Sequence, residues 1–504
     1  MTFACAHRGN SSIYRENTIE AISSAIESGA DVVEIDVRMS SDGEVVVIHD
    51  PTLERLWGVN RAVNTLSWRE ISQIRSDGYR IPLLKDVLAL FIGKRTLLMI
   101  DMEPADPALH ALRVVQGSEL PLSQVTWCGN DDAMAAIKKA APAARIWLAW
   151  DSLEYPTSSN IARIKPEFLN FEYSFVNAKM VKVAHDLDCK VSVWTVQDAP
   201  SMRWACAVGV DSITSDYLLR LQKVIEENPV FDNEPPRPLR LEEIDLALAE
   251  EVATGLGKWA ARVMTWFDPG EMSFKINAGD IVTAIDLLIE THVREVIKAN
   301  LKGHNLVGEE FGGKAISGVP NWFLDPIDGT TNFANRVPWT SFSLAMAFEA
   351  KPLVGVVAHP WIDRVYTAVS SKGARCNGKL ISLENETGTS LSSRIVSTEL
   401  MAYEPWPGMD RFLDELAERY CTMRIMGSGT LTLLGVAANQ SVGSVISEFS
   451  PIDHLAAVLI VSESGGVVFN HAGEVDLFPS EGGILCAAPG VAKELYEIWR
   501  KVSP

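Results

Sequence analysis

The sequence is poor in basic charge and in cysteine, and it has no long apolar run. Its 45 lysines and arginines stand against 65 aspartates and glutamates, so the net charge is −20. A nucleic acid or an anionic membrane is therefore not expected as a partner, because neither attracts a strongly acidic protein. The seven cysteines form no Cys-x-x-Cys pair, which favours reduced thiols in the cytoplasm over disulfides or a zinc site. No apolar stretch reaches the roughly 20 residues that span a bilayer.

A chain of 504 residues is too long for one hydrophobic core, so two or three domains are expected. The segment 229–239 contains four prolines and lacks apolar periodicity, which predicts a linker. We therefore expect a first domain over residues 1–228 and a second domain over residues 240–504.

Short apolar runs alternate with helical patterns through the first domain. Ile19, Ile22 and Ile26 recur at helical spacing after the first run. Alternation of this kind at this length predicts the α/β class and a parallel (β/α)8 barrel of the TIM type. One run is surplus to eight strands, and the turn before it predicts that 45–48 folds back as a hairpin. The other strand-like runs are 3–6, 32–37, 96–101, 125–128, 146–149, 168–171, 191–196 and 211–214.

The second domain has a different pattern. Long helical patterns over 241–262 and 280–300 come first. Three strand-like runs, at 341–348, 354–359 and 364–369, then follow one another through short turns, which predicts an antiparallel sheet. The expected architecture is an α+β layered sandwich.

Two aspartates, Asp325 and Asp328, bracket a Pro-Ile dipeptide in the second domain. Proline has no N–H group and a fixed φ, so the segment is not expected to continue as a regular central strand. The Ile327 carbonyl can then turn toward the two carboxylates, and 329–330 can begin a helix whose amides face a phosphate. Hard oxygen ligands of this kind suit Mg²⁺. Other carboxylates that could join them are Asp286, Glu309 and Asp453.

These segments, with 372–378 and 451–457, resemble the inositol monophosphatase family in order and spacing over nearly all of residues 240–504. The resemblance implies a sugar-phosphate monoesterase that uses two or three Mg²⁺ ions. It also implies that Thr330, together with Glu309, orients the attacking water. The implied metal ligands are Glu309, Asp325 and the Ile327 carbonyl for the first ion, Asp325, Asp328 and Asp453 for the second, and Asp286 for a third.

The same resemblance implies contacts with the substrate. Gly429 and Thr430 match the stretch that contacts the substrate ring, and Gly329 joins Thr330 beside the phosphate. Glu448 is expected to bind a hydroxyl group, although its spacing departs from that of the family. Ile452 stands where the family usually has tryptophan. Relatives of this domain are commonly dimers, so a homodimer is expected.

Polar side chains end the early strands of the first domain. Alternation puts Glu34 and Asp36 on one face of the second run, and carboxyl ends of barrel strands are where barrel enzymes keep their chemistry. Together with Asp101, these acids could bind one divalent cation, Mg²⁺ or Ca²⁺. His7 and His49 could act as general acid and base, since the histidine pKa lies near neutrality.

This constellation resembles the glycerophosphodiester phosphodiesterase family over essentially all of residues 1–220, with supporting segments at 16–18, 42–43, 80–84, 193–196 and 209–216. The resemblance implies that His7 and His49 are the acid–base pair. It also implies that a neighbouring hydroxyl of the substrate attacks phosphorus to give a cyclic intermediate. Further residues implied in the site are Arg8 in catalysis and Asn17, Glu103 and Trp194 in substrate binding.

One strand departs from that family. The family usually has Glu-x-Lys where this chain has Asp101-Met102-Glu103, so an anion replaces a cation near the phosphate. At an effective dielectric near 20, a unit charge about 4 Å away is worth roughly 4 kcal/mol. Either Arg8 and Arg38 compensate for this change, or Glu103 faces a hydroxyl-rich part of a different substrate.

The fusion itself suggests the function. A diesterase whose product is a monoester is joined to a monoesterase, so we expect a bifunctional hydrolase acting in sequence on small molecules. Glycerophosphoinositol is the simplest substrate, and a sugar diester of the agrocinopine type is another. The alternative is a phosphatase alone, joined to a barrel that binds without cleaving. The substrate of that phosphatase would be inositol phosphate, histidinol phosphate or a nucleotide bisphosphate.

Overall fold

The computed structural model of the protein describes residues 2–267, 272–274, 281–383, 390–401 and 403–503. The chain forms two compact units, Met1–Phe231 and Asp232–Pro504. All seven cysteines carry free thiols. Within the described residues, no helix combines the length and the apolar character that crossing a membrane requires.

The first unit alternates strands and helices along the chain. Its strands are β1 (Phe3–Ala6), β2 (Val32–Met39), β3 (Val45–Val47), β4 (Thr52–Leu53), β5 (Val59–Ala62), β6 (Leu97–Met102), β7 (Val125–Gly129), β8 (Arg145–Trp150), β9 (Phe168–Glu172), β10 (Lys190–Trp194) and β11 (Ser212–Ser215). Its helices are α1 (Ile19–Glu27), α2 (Glu54–Trp57), α3 (Trp68–Ile71), α4 (Leu84–Phe91), α5 (Ala108–Gln116), α6 (Asp131–Ala140), α7 (Ser158–Ile161), α8 (Ala178–Asp186), α9 (Ala199–Val208) and α10 (Leu218–Glu227).

Eight parallel strands of this unit close into a barrel. They follow the order β1-β2-β6-β7-β8-β9-β10-β11, and β11 pairs with β1 to complete the ring. The surplus strand β3 runs antiparallel to β2, with Arg38 opposite Val46. The predicted (β/α)8 barrel and its hairpin are therefore confirmed.

Apolar side chains fill one end of the barrel interior. Trp147 and Phe168 are fully buried and stack with ring centroids 3.9 Å apart. Cys5, Met99 and Cys128 pack in the same cluster. Asp36 and Asp101 lie opposite each other further toward the carboxyl ends of β2 and β6, where barrel enzymes keep their polar residues.

The second unit is a layered α/β structure. Its strands are β12 (Met272–Phe274), β13 (Ile281–Thr283), β14 (Asn305–Gly308), β15 (Asn321–Asp328), β16 (Ser341–Phe348), β17 (Lys351–His359), β18 (Arg364–Val369), β19 (Ala374–Cys376), β20 (Lys379–Ile381), β21 (Ile395–Thr398), β22 (Thr422–Arg424), β23 (Gly443–Ile446), β24 (Val467–Asn470) and β25 (Ile484–Ala487). Its helices are α11 (Leu246–Trp266), α12 (Ala284–Asn300), α13 (Thr330–Ala334), α14 (Met409–Glu418), α15 (Gly429–Ala437), α16 (Pro451–Glu463) and α17 (Ala492–Val502).

Two sheets alternate with helices in this unit. The first sheet has seven strands in the order β14 to β20, and the second has the order β22-β21-β23-β25-β24. A Cβ at Gly257 of α11 would lie 2.6 Å from Val356, whereas a Cβ at Gly355 would lie 3.0 Å from Ala456 of α16. Successive strand residues face opposite sides, so α11 and α16 cover opposite faces of the first sheet. The predicted layered sandwich is confirmed.

Some element boundaries differ from those predicted. The helix expected at 280–300 begins at Ala284, after β13, because Thr283 and Asp286 form a capping box. The helix expected from 241 begins at Leu246, with Asp245 as its N-cap. Strand β15 does continue through Pro326, but its pairing with β16 shifts register between Asp325 and Asp328. A bulge of this kind accommodates a proline in a strand.

Candidate active sites

The mouth of the barrel brings three acids together. Asp36 on β2 pairs laterally with Asp101 on β6, and Glu34 lies two residues earlier on the same face of β2. Burial raises the pKa of Glu34 well above its usual range, and the charges of Asp36 and Asp101 add to the rise. Burial, with the charge of Asp36, also raises the pKa of Asp101 to about 7. The acids predicted from sequence therefore form one electrostatically coupled cluster.

Arg8 and Asn17 contact this acid cluster. The Arg8 amide donates to Glu34 Oε2 over 2.8 Å, and its Nε lies 3.0 Å from Asp36 Oδ2. Its Nη1 donates to Glu16 Oε1 over 2.8 Å. Asn17 Nδ2 donates to Asp36 Oδ2 over 2.8 Å. Both side chains thus hold the cluster in place in this structure.

His7 is paired with a carboxylate at the end of the last barrel strand. Its Nδ1 lies 2.7 Å from Oδ1 of Asp216. Ser11 Oγ donates to the same oxygen over 3.0 Å, and Gln197 Nε2 donates to Oδ2 over 2.6 Å. Burial raises the pKa of Asp216, but the hydrogen bonds and the charge of His7 outweigh it and lower the pKa. Nδ1 of His7 is thus the ring nitrogen that faces Asp216.

His49 has a matching arrangement. Its Nδ1 lies 2.8 Å from Oδ1 of Asp50. Arg55 Nε donates to Asp50 Oδ2 over 2.6 Å, and Arg55 Nη2 donates to Glu16 Oε1 over 2.7 Å. Burial opposes the charged form of Asp50, but hydrogen bonds from Arg55 and His49 prevail and bring its pKa to about 2. A chain of ion pairs therefore supports the second imidazole.

Glu103 forms an ion pair with Arg38. Glu103 Oε2 lies 2.5 Å from Arg38 Nη2, and the Glu103 side chain is 78% exposed. The Nε of Arg38 donates to the His49 carbonyl over 2.5 Å. Arg38 is thus neutralised by Glu103, whereas Arg8 pairs with Asp36 of the acid cluster. Trp194, the last residue of β10, is 38% exposed.

In the second unit, Asp325 is a buried acid of the predicted metal site. It is 4% exposed, and its Oδ1 accepts a hydrogen bond from the Ile327 amide over 2.9 Å. Burial raises its pKa well above the usual range, and the charges of Glu309, Asp328 and Asp453 raise it further. Four acids predicted from sequence are therefore close enough to influence one another.

Asp328 accepts hydrogen bonds from the start of α15. The amides of Gly429 and Thr430 donate to its oxygens over 3.2 and 3.0 Å, and the hydroxyl of the N-cap residue Ser428 also donates. Burial raises the pKa of Asp328 to about 6, and Glu399 adds to the rise, while the Ser428 and Thr430 hydrogen bonds limit it. The two residues predicted to contact substrate thus hold a predicted metal ligand.

The predicted water-orienting residues, Glu309 and Thr330, follow the paired strands β14 and β15. Thr330 Oγ1 donates to the Ile327 carbonyl over 2.9 Å. Gly329 precedes α13 with φ of 86°, which glycine adopts without strain. The amide of Glu309 donates to the Leu324 carbonyl over 3.1 Å, which continues the pairing of β14 with β15.

Asp286 is buried at the start of α12. Its Oδ2 accepts from the amide of Thr283 over 2.8 Å and from the Thr283 hydroxyl over 2.5 Å. These bonds complete the capping box of the helix. The capping role is a structural finding, and a role with a third ion stays a prediction.

A cavity of about 540 Å³ opens beside these acids. Glu448 borders it, so the altered spacing does not remove Glu448 from this site. Other lining residues include Asp328, Glu399, Leu400, Tyr403, Ile425, Gly429, Phe449, Asp453 and His454.

Several residues of the sites were not predicted from sequence. Asp216 and Asp50 support the two histidines, and alternation along the last strand would have placed Asp216 on the inner face, beyond Thr214. Glu399 accepts from the Gly427 amide over 2.9 Å and from the Thr432 hydroxyl over 2.5 Å. No local pattern marks Glu399, because its partners lie 28 and 33 positions away.

Both acid clusters fit a hard divalent cation by the chemistry of their donors. Within the described ranges, no three His, Cys, Asp or Glu side chains are already arranged as a metal site. Burial first, and then repulsion by neighbouring acids, raise the pKa values of Glu34, Asp101, Asp325 and Asp328. This repulsion acts over several Å, and a divalent cation bound between the acids would relieve it.

Comparison with known families agrees with the two units. The model of the inositol monophosphatase family matches residues 242–502, and that of the glycerophosphoryl diester phosphodiesterase family matches residues 7–220. Both are families of phosphoric ester hydrolases. The chain belongs to the inositol monophosphatase family and carries a glycerophosphoryl diester phosphodiesterase domain ahead of its phosphatase domain.

Individual relatives match the phosphatase half. Inositol monophosphatase 2 of Solanum lycopersicum is 34% identical over 39% of this chain and 78% of its own length. Nus factor SuhB of Pasteurella multocida is 34% identical over 45% of this chain and 84% of its own. A solved IMPase of Thermotoga maritima is 26% identical, with a TM-score of 0.44, over 49% of this chain and 95% of that one.

Proposed function

We propose that the protein hydrolyses a phosphodiester and then the resulting phosphomonoester. The first domain, residues 1–228, splits a diester of a polyol or sugar, and the second, residues 240–504, dephosphorylates the product. The segment 229–239 is their linker. The observation that carries this proposal is that each unit has its own cluster of coupled buried carboxylates. In the first unit that cluster accompanies two imidazoles, each paired with an aspartate.

The two imidazoles supply the proton transfers of the first reaction. Because Asp216 and Asp50 hold the Nδ1 atoms, one Nε2 accepts the proton of an attacking hydroxyl on the substrate. The other Nε2 protonates the departing alkoxide as its P–O bond breaks. Water then opens the cyclic ester with the two roles reversed. Glu34, Asp36 and Asp101 would hold one Mg²⁺ or Ca²⁺, which neutralises phosphate charge when bound.

The second reaction uses the acids around Asp325. Two or three Mg²⁺ ions would neutralise the phosphate and stabilise the leaving alkoxide. Thr330 donates its hydroxyl hydrogen to the Ile327 carbonyl, so its oxygen can accept a hydrogen bond from the attacking water. Glu309 accepts the proton that this water releases. The proposed ligands are Glu309, Asp325, the Ile327 carbonyl, Asp328 and Asp453, with Asp286 for a third ion.

The proposed substrates are hydroxyl-rich. Glu103 and Trp194 lie at the carboxyl ends of their strands, and Glu448 borders the phosphatase cavity. Carboxylates bind hydroxyl groups well, and an indole ring packs on an apolar sugar face. Glycerophosphoinositol is the first substrate to test, and agrocinopine-like sugar diesters come next. A homodimer in the cytoplasm, without nucleic-acid or membrane partners, completes the proposal.

The test is a substrate panel with the full chain, with and without Mg²⁺. The panel contains glycerophosphoinositol, a sugar–phosphate–sugar diester, inositol phosphate, histidinol phosphate and a nucleotide bisphosphate. We expect Mg²⁺-dependent phosphate release from at least one diester and from the monoester that it yields. Turnover of monoesters alone would contradict the two-step proposal.

The pairing of Glu103 with Arg38 favours a second candidate function, in which the barrel is a binding domain. Because Glu103 neutralises the Arg38 cation at the barrel mouth, the barrel would bind a diester or polyol without cleaving it. Calorimetry would then detect binding of glycerophosphoinositol in the absence of any cleavage product. Measurable turnover by the barrel excludes this candidate.

A further inference from the structure

A buried carboxylate lies directly behind the turn that carries Glu309. Glu290, on α12, has no exposed surface. Its Oε1 accepts from Arg294 Nε over 2.9 Å and from Arg294 Nη2 over 2.5 Å. The ion pair with Arg294 offsets the cost of burying this carboxylate, since a buried carboxylate is stable only when it is paired and hydrogen-bonded.

The same carboxylate accepts two backbone amides of the turn. The amide of Glu310 donates to Glu290 Oε2 over 2.8 Å, and the amide of Phe311 donates to Oε1 over 3.1 Å. Arg294 Nη2 also donates to the Gly312 carbonyl over 2.8 Å. The three residues that follow Glu309 are therefore fixed to one buried ion pair.

The residue before Glu309 is also fitted to this carboxylate. A Cβ at Gly308 would lie 2.0 Å from Glu290 Oε1, so only glycine lets the strand end approach Glu290 this closely. Gly308 pairs with Leu324 of β15. Glu309 is thus held on its amino-terminal side by a strand and on its carboxyl-terminal side by Glu290.

We propose that Glu290 is a positioning residue of the phosphatase site, which sets the Glu309 carboxylate against Asp325 so that both can bind one metal ion. The inference rests on the proposed phosphatase function. Glu290 acts through the backbone of the turn and contacts neither substrate nor metal. It explains why an exposed turn residue such as Glu309 can keep one orientation toward a buried partner.

Replacement of Glu290 by glutamine keeps the size of the buried side chain but changes its hydrogen bonds to the turn that carries Glu309. Both oxygens of Glu290 accept hydrogen bonds only from N–H donors. A glutamine has one oxygen and one NH2 group, so in either orientation one set of donors faces another donor. E290Q must therefore release either the Glu310 amide or the pair of Arg294 and Phe311. R294Q is a milder second variant, because Arg294 is partly exposed.

The experiment measures thermal unfolding of the full chain against Mg²⁺ concentration, with no substrate present, and follows the Tm of the second unit, which holds the Glu309 and Asp325 site. E415Q is the matched control, because Glu415 forms an i,i+4 pair with Arg419 in the same unit. We expect the Mg²⁺ concentration that gives half of the rise in Tm to increase about tenfold in E290Q and less in R294Q. E415Q lowers Tm without moving this concentration. In phosphatase assays the activating Mg²⁺ concentration should rise equally, with KM at saturating Mg²⁺ unchanged.

An identical Mg²⁺ midpoint in wild type and E290Q would overturn the inference, as would an equal shift in E415Q. If E290Q does not fold, the Mg²⁺ midpoint of R294Q, compared with those of wild type and E415Q, tests the inference. A wild-type protein whose Tm does not respond to Mg²⁺ would instead contradict the proposed function.

Discussion

The imidazole of His7 lies 2.7 Å from the carboxylate of Asp216, although 209 positions separate them in the sequence. Parallel pairing of β1 with β11, in which Ala6 lies opposite Ser215, places the residues after the two strands side by side. Closure of the barrel thus creates a histidine–aspartate pair. An aspartate on Nδ1 holds the tautomer whose Nε2 can accept a proton and stabilises the imidazolium that results.

Replacing Asp216 by asparagine should strongly reduce the diesterase activity. Asparagine keeps the size of the side chain but removes the charge that supports a protonated His7. We expect kcat to fall by about 100-fold or more, the scale of a general acid–base contribution. Steady-state kinetics on the diester measure this effect.

S11A is the control for that substitution. It removes the hydroxyl that contacts both Asp216 and the His7 carbonyl, and it leaves the His7–Asp216 pair in place. We expect a several-fold loss at most, and phosphatase activity on the monoester should not change in either variant. Equal losses in D216N and S11A would contradict a specific role for the charge of Asp216.

Replacing Glu103 by glutamine should make simple anionic diesters bind more tightly. The substitution removes one negative charge and leaves Arg38 with its cation unpaired by Glu103. We expect KM for an aryl phosphodiester without hydroxyl groups to fall several-fold, while KM for a polyol diester rises. Because Glu103 is largely exposed, the free energy of unfolding should change by less than about 1 kcal/mol. A parallel change in both KM values would refute the assignment of Glu103 to hydroxyl recognition.

Replacing Asp325 by asparagine should have opposite effects on stability with and without metal. In EDTA, the variant lacks a buried charge that Glu309, Asp328 and Asp453 repel, so its Tm should rise by about 3 °C, or roughly 1 kcal/mol. In Mg²⁺, the Tm of the second unit should rise in the wild type and should not rise in the variant. Thermal unfolding in the two buffers tests this, and a variant that is less stable in EDTA would contradict the account of mutual repulsion.

The second unit should lose stability in mild acid through His304. Its Nδ1 accepts from Trp322 Nε1 over 3.0 Å, and burial lowers its pKa to about 4. A histidine whose pKa is depressed on folding binds protons better when unfolded. Its contribution is therefore complete above about pH 6.5 and is lost as the pH falls toward the folded pKa.

H304Q is the variant that isolates this effect, because glutamine keeps a hydrogen-bond acceptor but does not titrate. Between pH 7.5 and pH 5, the wild type should lose about 2 kcal/mol more unfolding free energy than H304Q. Denaturant unfolding at both pH values measures the difference. Parallel losses in the two proteins would show that His304 does not contribute.

The parts of the fold that follow from local patterns were predictable. Short apolar runs separated by helical patterns predicted the barrel, and residues 325–330 combine Pro, Gly and two acids within one short segment. Asp325 and Ile327 interact within this segment, through a hydrogen bond over two positions. Site residues that are close together in the sequence can be recognised from the sequence.

The supporting residues were not predictable in the same way. Glu290 meets the Glu310 amide 20 positions away, and Glu399 meets the Gly427 amide 28 positions away. These contacts depend on how a helix packs against a turn and how a strand lies beside a loop, and neither is encoded in a local period. Arg38 pairs with Glu103 across 65 positions. The sequence likewise did not show that Arg38, a possible replacement for the missing lysine, is already neutralised by Glu103.

The most direct test of the two-step account is to follow glycerophosphoinositol through the full chain in Mg²⁺ by phosphorus NMR. Wild type should convert the diester to inorganic phosphate, whereas D325N should accumulate inositol monophosphate. The double variant H7A/H49A should leave the diester intact but still hydrolyse added inositol monophosphate. Phosphate release from the diester by the double variant would contradict the account.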